Sequence, residues 1–452
     1  MNDHIHKRVA AVTLGCKLNY AETSSILDDL CQQGWELRSI DEGADLIIVH
    51  TCAVTKKAEK KSRQKIRGII RTNPASRIAV IGCYAQLKPE VLASIEGVDA
   101  ILGTNDKFKI QSYDDISAGR IASPLVKVSP PDTFEEVYPG YSLPAAESSD
   151  RTRAFLKIQD GCDYGCAYCT IPMARGGSRS LPMAQIVERA RTLASSGYRE
   201  IVLTGVNIGD YRYEGTGLCD LLLKLEHVNV SRIRISSIEP DFIDDDLISL
   251  VAGSEKIVPH FHIPLQSGSD TVLKAMRRRY DTEMYFSRVK NAVDRIADCA
   301  IGTDVIVGYP GEAEADFLQM YRFLEELPLA YFHVFSCSVR PDTPLARQIA
   351  NHERTPVESA EIARRYAALI ELGRQKEYQF KKRYIGKECM VLFEASRGVK
   401  KGVAQYSGYT PNYLRVLVET DQAVEQTLSG NELRVLIESL GDDLNLNGRV
   451  LS

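Results

Sequence analysis

Three cysteines lie within one short segment of the chain, CDYGCAYC over residues 162–169. The C-x3-C-x2-C spacing of Cys162, Cys166 and Cys169 brings three thiolates together, where they would share one metal centre. Thiolates are soft ligands that suit zinc or an iron–sulfur cluster. A structural zinc site would need a fourth ligand, and the neighbouring sequence does not supply one. A four-iron cluster held by three cysteines fits better, because it keeps one iron open to another ligand.

A second set of three cysteines is spread over the first 83 residues. Cys16, Cys52 and Cys83 each follow a short apolar run rich in Val or Ile. If these runs are parallel strands, their carboxyl ends meet at one edge of a sheet, and thiols 36 and 31 positions apart would converge there. Gly15 and Gly82 would let the backbone approach a bulky inorganic ligand. The pattern predicts either a second metal centre or ordinary buried cysteines, since free Cys is often buried.

Length, charge and cysteine content limit the class of protein. A chain of 452 residues corresponds to about three domains. With 56 basic and 60 acidic residues the formal charge is −4, so a nucleic-acid partner would be met by local patches. No run approaches the ~18 apolar residues of a membrane span, and the polar N-terminus is unlike a signal peptide. The 11 cysteines therefore favour metal or catalytic roles over disulfides, and we expect a cytoplasmic protein.

Strand-like and helix-like segments alternate over residues 1–120. Strands are predicted at 9–14, 45–50 and 77–81, and helices at 19–33, 56–71 and 89–95. This alternation predicts a doubly wound α/β domain with a parallel sheet. The helix at 56–71 carries eight basic residues and one acidic residue, which indicates either a solvated face or a surface that follows a phosphate backbone.

A linker and a larger α/β domain are predicted next. Residues 121–150 contain five prolines and little periodicity, as is typical of a linker. Within residues 151–377, helical segments separate six strand-like runs, at 154–159, 200–204, 232–237, 258–263, 300–307 and 330–335. This pattern predicts a (β/α)6 partial barrel whose active-site loops follow the carboxyl ends of the strands.

Residues 378–452 show a different sequence pattern. Short alternating strands are predicted at 389–394, 402–406, 413–419 and 431–438, with turn residues between them. They predict a small antiparallel β-barrel, and basic and aromatic side chains along it would suit RNA phosphates and unstacked bases. A barrel without that role is the alternative. The residues concerned are Lys400, Lys401, Tyr406, Tyr409, Tyr413 and Arg415.

These motifs resemble the methylthiotransferases, a branch of the radical S-adenosylmethionine (SAM) enzymes. The loop at 162–169 resembles the cluster loop of that superfamily, which implies a 4Fe-4S cluster whose open iron binds SAM. TLGCKLN at 13–19, TCAVT at 51–55 and GCYAQ at 82–86 resemble the amino-terminal domain of the methylthiotransferases, whose three cysteines hold a second 4Fe-4S cluster. The small barrel resembles the TRAM module that holds tRNA in that family. The resemblance implies that all six cysteines are metal ligands and catalytic residues.

The resemblance also implies the partners and the SAM contacts. We expect tRNA, SAM and an unidentified electron donor as partners, no membrane, and a monomeric protein. TGVN at 204–207 and SSIEP at 236–240 resemble SAM-contacting segments of the family, and other loops occupy equivalent strand ends. The expected SAM-binding residues are Tyr168, Gly205, Asn207, Glu239, Gln266 and Asp304.

Three arginines are candidates for a substrate phosphate or carboxylate, since a planar guanidinium pairs well with either. Arg175 and Arg179 follow the cysteine loop, and Arg340 lies in FSCSVRPDT at 335–343. The family usually has a motif like FPYSxRxGT at the latter place. That departure leaves substrate recognition at this strand end open.

Within the family, GCKLN at 15–19 and AEKKSRQ at 58–64 look most like the branch that methylthiolates carbon 2 of N6-threonylcarbamoyladenosine beside the tRNA anticodon. SAM would then be both methyl donor and radical source. Branches that act on isopentenyladenosine in tRNA, or on a ribosomal-protein aspartate, are alternatives. A threonylcarbamoyl carboxylate calls for an arginine, whereas an isopentenyl tail calls for an apolar pocket. A metal-containing RNA-binding protein without turnover is the alternative outside the enzymes.

Overall fold

A computed structural model describes residues 7–117, 123–143, 152–394, 399–400, 403–420 and 428–451. The chain forms two compact units. The first comprises residues 1–143, 155–182 and 204–206, and the second comprises 144–154, 183–203 and 207–452. None of the helices in the described ranges is long and apolar enough to cross a membrane. The domain boundaries expected near residues 120, 150 and 377 stay predictions.

A six-stranded parallel sheet lies at the centre of the first unit. Its strands are β1 (Arg8–Thr13), β2 (Glu36–Leu37), β3 (Leu46–Thr51), β4 (Arg77–Gly82), β5 (Ala100–Leu102) and β6 (Leu125–Lys127). They lie in the order β2-β1-β3-β4-β5-β6. The sequence predicts β1, β3 and β4, but it misses the other three because runs of two or three residues show no period.

Helices cover both faces of this sheet. They are α1 (Lys17–Gln32), α2 (Lys56–Thr72), α3 (Cys83–Leu87), α4 (Pro89–Ala93) and α5 (Gln111–Ser117). Successive side chains of a strand point to opposite faces. Ile47 of β3 accordingly packs in one core cluster with Ile66 of α2, and the adjacent Ile48 packs in another with Ile26 of α1. The predicted doubly wound α/β fold is confirmed.

The segment that carries the cysteine loop contains four short elements, and it is followed by the helices and strands of a partial barrel. The first four are β7 (Arg153–Lys157), β8 (Gln159–Asp160), α6 (Ile171–Arg175) and β9 (Arg179–Ser180). The others are α7 (Met183–Ser195), β10 (Glu200–Thr204), α8 (Leu218–Leu225), β11 (Arg232–Ile235), α9 (Asp245–Gly253), β12 (His260–His262), α10 (Asp270–Ala275), α11 (Thr282–Arg295), β13 (Ala300–Val307), α12 (Glu314–Glu326), β14 (Tyr331–Ser336), α13 (Pro344–Ala350) and α14 (Ser359–Lys382).

The barrel strands follow one another in sequence order. They form two three-stranded sheets, β11-β10-β7 and β12-β13-β14, and parallel bridges from β11 and Ser237 to the β12 segment connect the two. The pairs β10–β11, β12–β13 and β13–β14 are parallel, and helices separate the strands along the chain. This arrangement confirms the predicted (β/α)6 partial barrel.

A small closed barrel ends the chain. Its strands are β15 (Glu388–Phe393), β16 (Val399–Lys400), β17 (Val403–Tyr409), β18 (Arg415–Thr420), β19 (Glu432–Leu440) and β20 (Leu446–Val450). They run in the order β15-β19-β20-β18-β17-β16, and β15 also pairs with β17, which closes five strands into a ring. The pair β18–β20 is parallel, so the barrel is not wholly antiparallel as predicted. The sequence misses β20 because its Asn447-Gly448 pair is a turn signal.

Within the second unit, this small barrel packs against the amino-terminal ends of the central strands. Arg232, the first residue of β11, donates to the carbonyl oxygen of Tyr409 at 2.7 Å. The guanidinium of Arg234 lies 4.8 Å above the ring of Tyr413, and that of Arg153 lies 4.4 Å above Tyr409. In these contacts the arginine side chains give up water and gain cation–π contacts and hydrogen bonds with the small barrel.

The same contacts show that the aromatic part of the predicted RNA-binding surface is wrong. Tyr406 is buried in the small barrel, and the rings of Tyr409 and Tyr413 stack on each other beside the arginines just described. These tyrosines therefore attach the module to the central barrel, and their stacked faces are covered by protein. Lys401 and the side chain of Lys400 lie outside the described residues.

Candidate active site

Cys16, Cys52 and Cys83, the distributed triad, lie at the carboxyl ends of three neighbouring parallel strands. Cys16 precedes α1, Cys52 directly follows β3, and Cys83 begins α3 directly after β4. Gly15 has φ +112°, and a Cβ there would come 2.8 Å from the Cβ of Cys52, so only glycine brings these two loops so close. The sheet thus brings together three thiols that are distant in sequence.

Two thiols of the distributed triad, those of Cys16 and Cys52, have raised pKa values. Burial, reinforced by the nearby thiols of Cys83 and Cys16, raises the pKa of Cys52 to about 11. Burial also raises the pKa of Cys16, against the effect of Arg175. A metal centre would displace these protons, because thiolate is the ligating form. Three soft donors at one sheet edge fit an iron–sulfur cluster.

Cys162, Cys166 and Cys169, the local triad, lie in the loop between β8 and α6. The backbone N–H of Tyr164 donates to Sγ of Cys162 at 3.4 Å, and that of Ile171 donates to Sγ of Cys169 at 3.4 Å. Hydrogen bonds to sulfur stabilise the thiolate and tune iron–sulfur clusters. The loop is therefore arranged for three cluster ligands. Tyr168 is half-buried in it.

Gln159 organises the entry to this loop. Its side-chain nitrogen donates to the carbonyl oxygen of Gly161 at 2.8 Å and to Oγ of Ser178 at 3.0 Å. Its side-chain oxygen accepts from the backbone N–H of Val206 at 3.0 Å. Gln159 thereby holds the turn that contains Gly205 against the start of the loop. Gln159 is not among the residues predicted from the sequence, although an amide side chain at the end of the run FLKIQ, where burial is expected, is a signal for it.

Five buried charged side chains lie between the two triads in the first unit. Arg175 donates to Glu22 at 3.0 Å and to Asp160 at 2.8 Å. Lys157 reaches the same two carboxylates at 2.8 and 2.6 Å, and Lys107 reaches Glu22 at 2.6 Å. Burial alone would raise the pKa of Glu22, but these three cations hold it well below its usual range. We refer to these residues as the buried ion network.

The network argues against the predicted contact of Arg175 with a substrate carboxylate. Its guanidinium is 1% exposed, and besides the two carboxylates it donates to Oδ1 of Asn19 at 2.9 Å. The same Asn19 oxygen accepts from Sγ of Cys16 at 3.6 Å. Arg175 therefore joins α1, which begins after Cys16, to α6, which follows the local triad. The network is not predicted from the sequence because its members are up to 153 positions apart.

Of the other two candidate arginines, Arg179 donates to protein carbonyl oxygens and Arg340 is buried. Arg179 donates to the carbonyl oxygens of Arg175 at 2.9 Å and Phe134 at 3.2 Å. Arg340 is buried in the second unit, where its carbonyl oxygen accepts from Thr343. Their contacts with a substrate stay predictions.

Three of the remaining predicted SAM contacts lie in the second unit after successive barrel strands, whereas Asp304 lies within β13. Asn207 is buried beyond β10. Glu239 pairs with Arg278, and burial raises its pKa to about 7, although the cation opposes the shift. Gln266 has a φ of +66°. Its backbone N–H donates to the carbonyl oxygen of Asp304 at 2.9 Å, so it pairs with β13 beyond the end of β12. These SAM contacts stay predictions.

Comparisons with known proteins first define the class. A family profile described as Radical SAM superfamily matches residues 156–324, and one described as Uncharacterized protein family UPF0004 matches residues 8–103. The fold is similar to that of TsrM, a radical SAM methyltransferase from Kitasatospora setae, with a TM-score of 0.56 and 16% identity over 77% of this chain and 78% of that one. It is also similar to the cobalamin-dependent SAM radical enzyme OxsB, with a TM-score of 0.53 and 14% identity over 77% and 61% of the two chains. The second-unit barrel and the three-cysteine loop are those of a radical SAM enzyme, a class that binds a 4Fe-4S cluster and SAM.

Curated relatives then define the family. The chain is 39% identical to the threonylcarbamoyladenosine tRNA methylthiotransferase MtaB of Bacillus subtilis, over 90% of each chain. It is 36% identical to the protein of the same name from Aquifex aeolicus, over 85% of this chain and 92% of that one. It is 30% identical to a tRNA-2-methylthio-N(6)-dimethylallyladenosine synthase of Endomicrobium trichonymphae, over 96% and 98%. The chain belongs to the methylthiotransferase family of radical SAM enzymes.

Proposed function

We propose that this enzyme transfers a methylthio group to carbon 2 of N6-threonylcarbamoyladenosine beside the anticodon of tRNA, with SAM as methyl donor and radical source. The observation that carries the proposal is the pair of cysteine triads in one unit. The branch is supported by the relatives, because those named for threonylcarbamoyladenosine reach 39% identity and those named for dimethylallyladenosine reach 31%. The proposal includes two 4Fe-4S clusters, one on each triad.

The chemistry of these groups sets the task of the protein. A cluster on the local triad would supply the electron that cleaves SAM to a 5′-deoxyadenosyl radical, and one on the distributed triad would carry the sulfur. The backbone N–H groups of Tyr164 and Ile171 donate to two sulfurs of the local triad, and these contacts would stabilise the thiolates that bind iron. The pKa values of Cys16 and Cys52 are raised, and these thiols must lose protons to bind metal, so we expect assembly of a cluster on the distributed triad to be the more pH-dependent step.

Each unit carries residues that are proposed SAM contacts. We expect Tyr168 and Gly205, in the first unit, to approach SAM with ring and backbone. In the second unit, Glu239 in its carboxylate form would accept hydrogen bonds from the ribose hydroxyls or the methionyl ammonium. Asn207 and Gln266 would donate and accept further bonds.

The exposed face of α2 is the proposed surface for tRNA phosphates. Its basic side chains project into solvent, whereas Ser62, Ile66 and Ile69 are buried. A cationic helix that begins beside Cys52 would draw a polyanion toward the distributed triad. The small barrel, which fits the TRAM module, is the proposed second contact. The exposed residues of the helix are Lys56, Lys57, Lys60, Lys61, Lys65, Arg67 and Arg71.

The test is mass spectrometry of tRNA nucleosides from cells that lack this gene and carry a plasmid copy. The parental copy should restore methylthio-threonylcarbamoyladenosine, and a Cys52→Ala copy should leave only the unmodified precursor. Cys219→Ala, on α8, is the matched control and should behave as parental. If the parental copy changes only an isopentenyl nucleoside, the proposed substrate is wrong. The cytoplasmic location, the monomeric state and the separate electron donor stay predictions.

A further inference from the structure

Two histidines and one aspartate project from the same face of the sheet β12-β13-β14. In the parallel register His262 lies opposite Gly302, and Asp304, two residues further on, lies opposite His333. Residues that pair, or that are two apart in one strand, share a face of the sheet. The side chains of His262, Asp304 and His333 therefore converge.

The opposite face of this sheet carries the helices. The hydroxyl of Tyr285 in α11 donates to Oγ1 of Thr303 at 3.0 Å, and the ring of Phe332 lies under Gly373 of α14. Thr303 and Phe332 alternate with the residues of the convergent face. The trio of His262, Asp304 and His333 thus faces the interior of the partial barrel, away from the helices.

The three side chains meet through ligand-type atoms. Nε2 of His262 lies 3.1 Å from one carboxylate oxygen of Asp304, and Nδ1 of His333 lies 3.0 Å from the other. One such atom from each residue lies within 4.8 Å of the others. Adjacent ligands about 2.1 Å from an octahedral ion are roughly 3.0 Å apart, so the two separations between histidine and aspartate match neighbouring positions on one cation.

The trio is covered on one side and open on the other. Gly302 has no side chain, and a Cβ there would lie 2.2 Å from Cζ of Tyr331, so the Tyr331 ring occupies that space beside the trio. The side chain of His333 is 57% exposed, that of Asp304 27% and that of His262 16%. Three ligands on a supporting floor with one accessible side leave positions for water or another ligand.

We propose that His262, Asp304 and His333 bind one divalent transition-metal ion of the Mn²⁺, Fe²⁺, Co²⁺ or Zn²⁺ class. Two imidazoles and one carboxylate on one face are a donor set that such ions take with open coordination positions. Its three residues belong to neither cysteine triad, and the proposal is independent of the proposed tRNA substrate. Each carboxylate oxygen of Asp304 faces an imidazole, so in this proposal Asp304 serves the metal ion in place of the contact with SAM that the sequence predicts.

Mn²⁺ is the suitable probe, because thiolate sites disfavour it and both triads can be filled with iron–sulfur clusters beforehand. The loss of the free Mn²⁺ electron paramagnetic resonance signal would be followed as reconstituted enzyme is added. We expect one saturable site per chain. Asp304→Asn and His333→Gln should each weaken it at least tenfold. Asp294→Asn and His227→Gln, at exposed positions, should bind Mn²⁺ as parental enzyme does.

Folding of each variant is checked by its iron content and by its circular dichroism spectrum. The exposed His333 gives a variant whose substitution disturbs little packing. Absence of saturable Mn²⁺ binding in parental enzyme, or equal binding in Asp304→Asn, would overturn the proposal. If Asp304→Asn instead loses affinity for SAM while parental enzyme takes up no Mn²⁺, the residue contacts SAM and the metal site is wrong.

Discussion

The local triad and the distributed triad are built in different ways within the same unit. The local triad lies in one loop, where neighbouring backbone N–H groups point at the sulfurs of Cys162 and Cys169. The distributed triad needs three strand ends in register, and burial raises the pKa of Cys16 and Cys52 instead. A short loop can thus carry its own thiolate stabilisation, whereas a site assembled by a sheet depends on the whole fold and on the ion that binds there.

The largest expected effect comes from removing one ligand of each triad. Cys162→Ala should abolish both 5′-deoxyadenosine and methylthiolated tRNA, because the local triad would serve SAM. Cys52→Ala should retain about half of the iron and release 5′-deoxyadenosine with a strong reductant, but make no product. Liquid chromatography of both products from reconstituted variants is the measurement. If Cys52→Ala still methylthiolates tRNA, the distributed triad does not hold a second cluster and its members are ordinary cysteines.

A substitution in the buried ion network tests whether this network holds the segments that carry the two triads together. Arg175→Ala would leave Glu22 and Asp160 with fewer cations, and breaking a buried pair in this way costs about 3–5 kcal/mol. We expect faster hydrogen exchange in residues 17–32 and in residues 153–175, measured by mass spectrometry.

Arg191→Ala is the matched control for that variant. Arg191 pairs with Glu188 at 3.6 Å on the surface, with side chains 62% and 74% exposed, so its removal should shift local stability by about 0.5 kcal/mol or less. If Arg175→Ala speeds exchange in one of the two segments only, the network does not couple the triads.

A smaller effect is expected from pH on SAM binding. Burial raises the pKa of Glu239 to about 7, so the carboxylate form predominates only above that pH. If this carboxylate holds SAM, affinity should rise about tenfold between pH 6 and pH 8 as the proton leaves. The pH profile should be flat in Glu239→Gln and unchanged in Cys52→Ala, because the proposed binding site of SAM does not include the distributed triad. Equilibrium dialysis with SAM is the measurement, and a sloping profile in Glu239→Gln would exclude this role.

The smallest effect concerns the helices that follow the two triads. The helix α2, after Cys52, exposes lysines, whereas α6, after Cys169, ends in the buried Arg175. Lys60→Ala should lower tRNA affinity a few-fold and reduce the slope of log affinity against log salt by about 0.7 to 0.9. Lys224→Ala, on α8, is the control. Filter binding across a salt series measures both, and equal slopes for the two variants would remove α2 from the interface.

Much of the fold could be predicted from the sequence because the periodicity of apolar residues and the residue types of turns are local properties of the chain. The six barrel strands and three of the first-unit strands lie where the apolar runs indicate. The local triad is readable for the same reason, since its spacing is contained in one loop. The distributed triad becomes readable only when β1, β3 and β4 are taken as neighbours in a parallel sheet.

What sequence could not predict depends on contacts between distant elements. Arg175 reads as a free cation beside a loop, and only the fold brings Glu22 against it. Tyr409 and Tyr413 have the composition of an RNA surface, but the arginines that cover them belong to barrel strands far away in the chain. A single sequence contains no signal for such pairings.

The attachment of the small barrel has a consequence for synthesis of the chain on the ribosome. Arg232 and Arg234 emerge about 180 residues before their carbonyl partners at Tyr409 and Pro411. Chains grow at roughly 5–20 residues per second, so the time between synthesis of these arginines and synthesis of their carbonyl partners is on the order of ten seconds or more. The central barrel therefore lacks these hydrogen bonds until the last module is made. A message cut short after residue 377 would yield a product in which Arg232 and Arg234 keep Glu200 as a partner but lose the cover of the small barrel, and quality-control proteases can recognise such exposed strand ends.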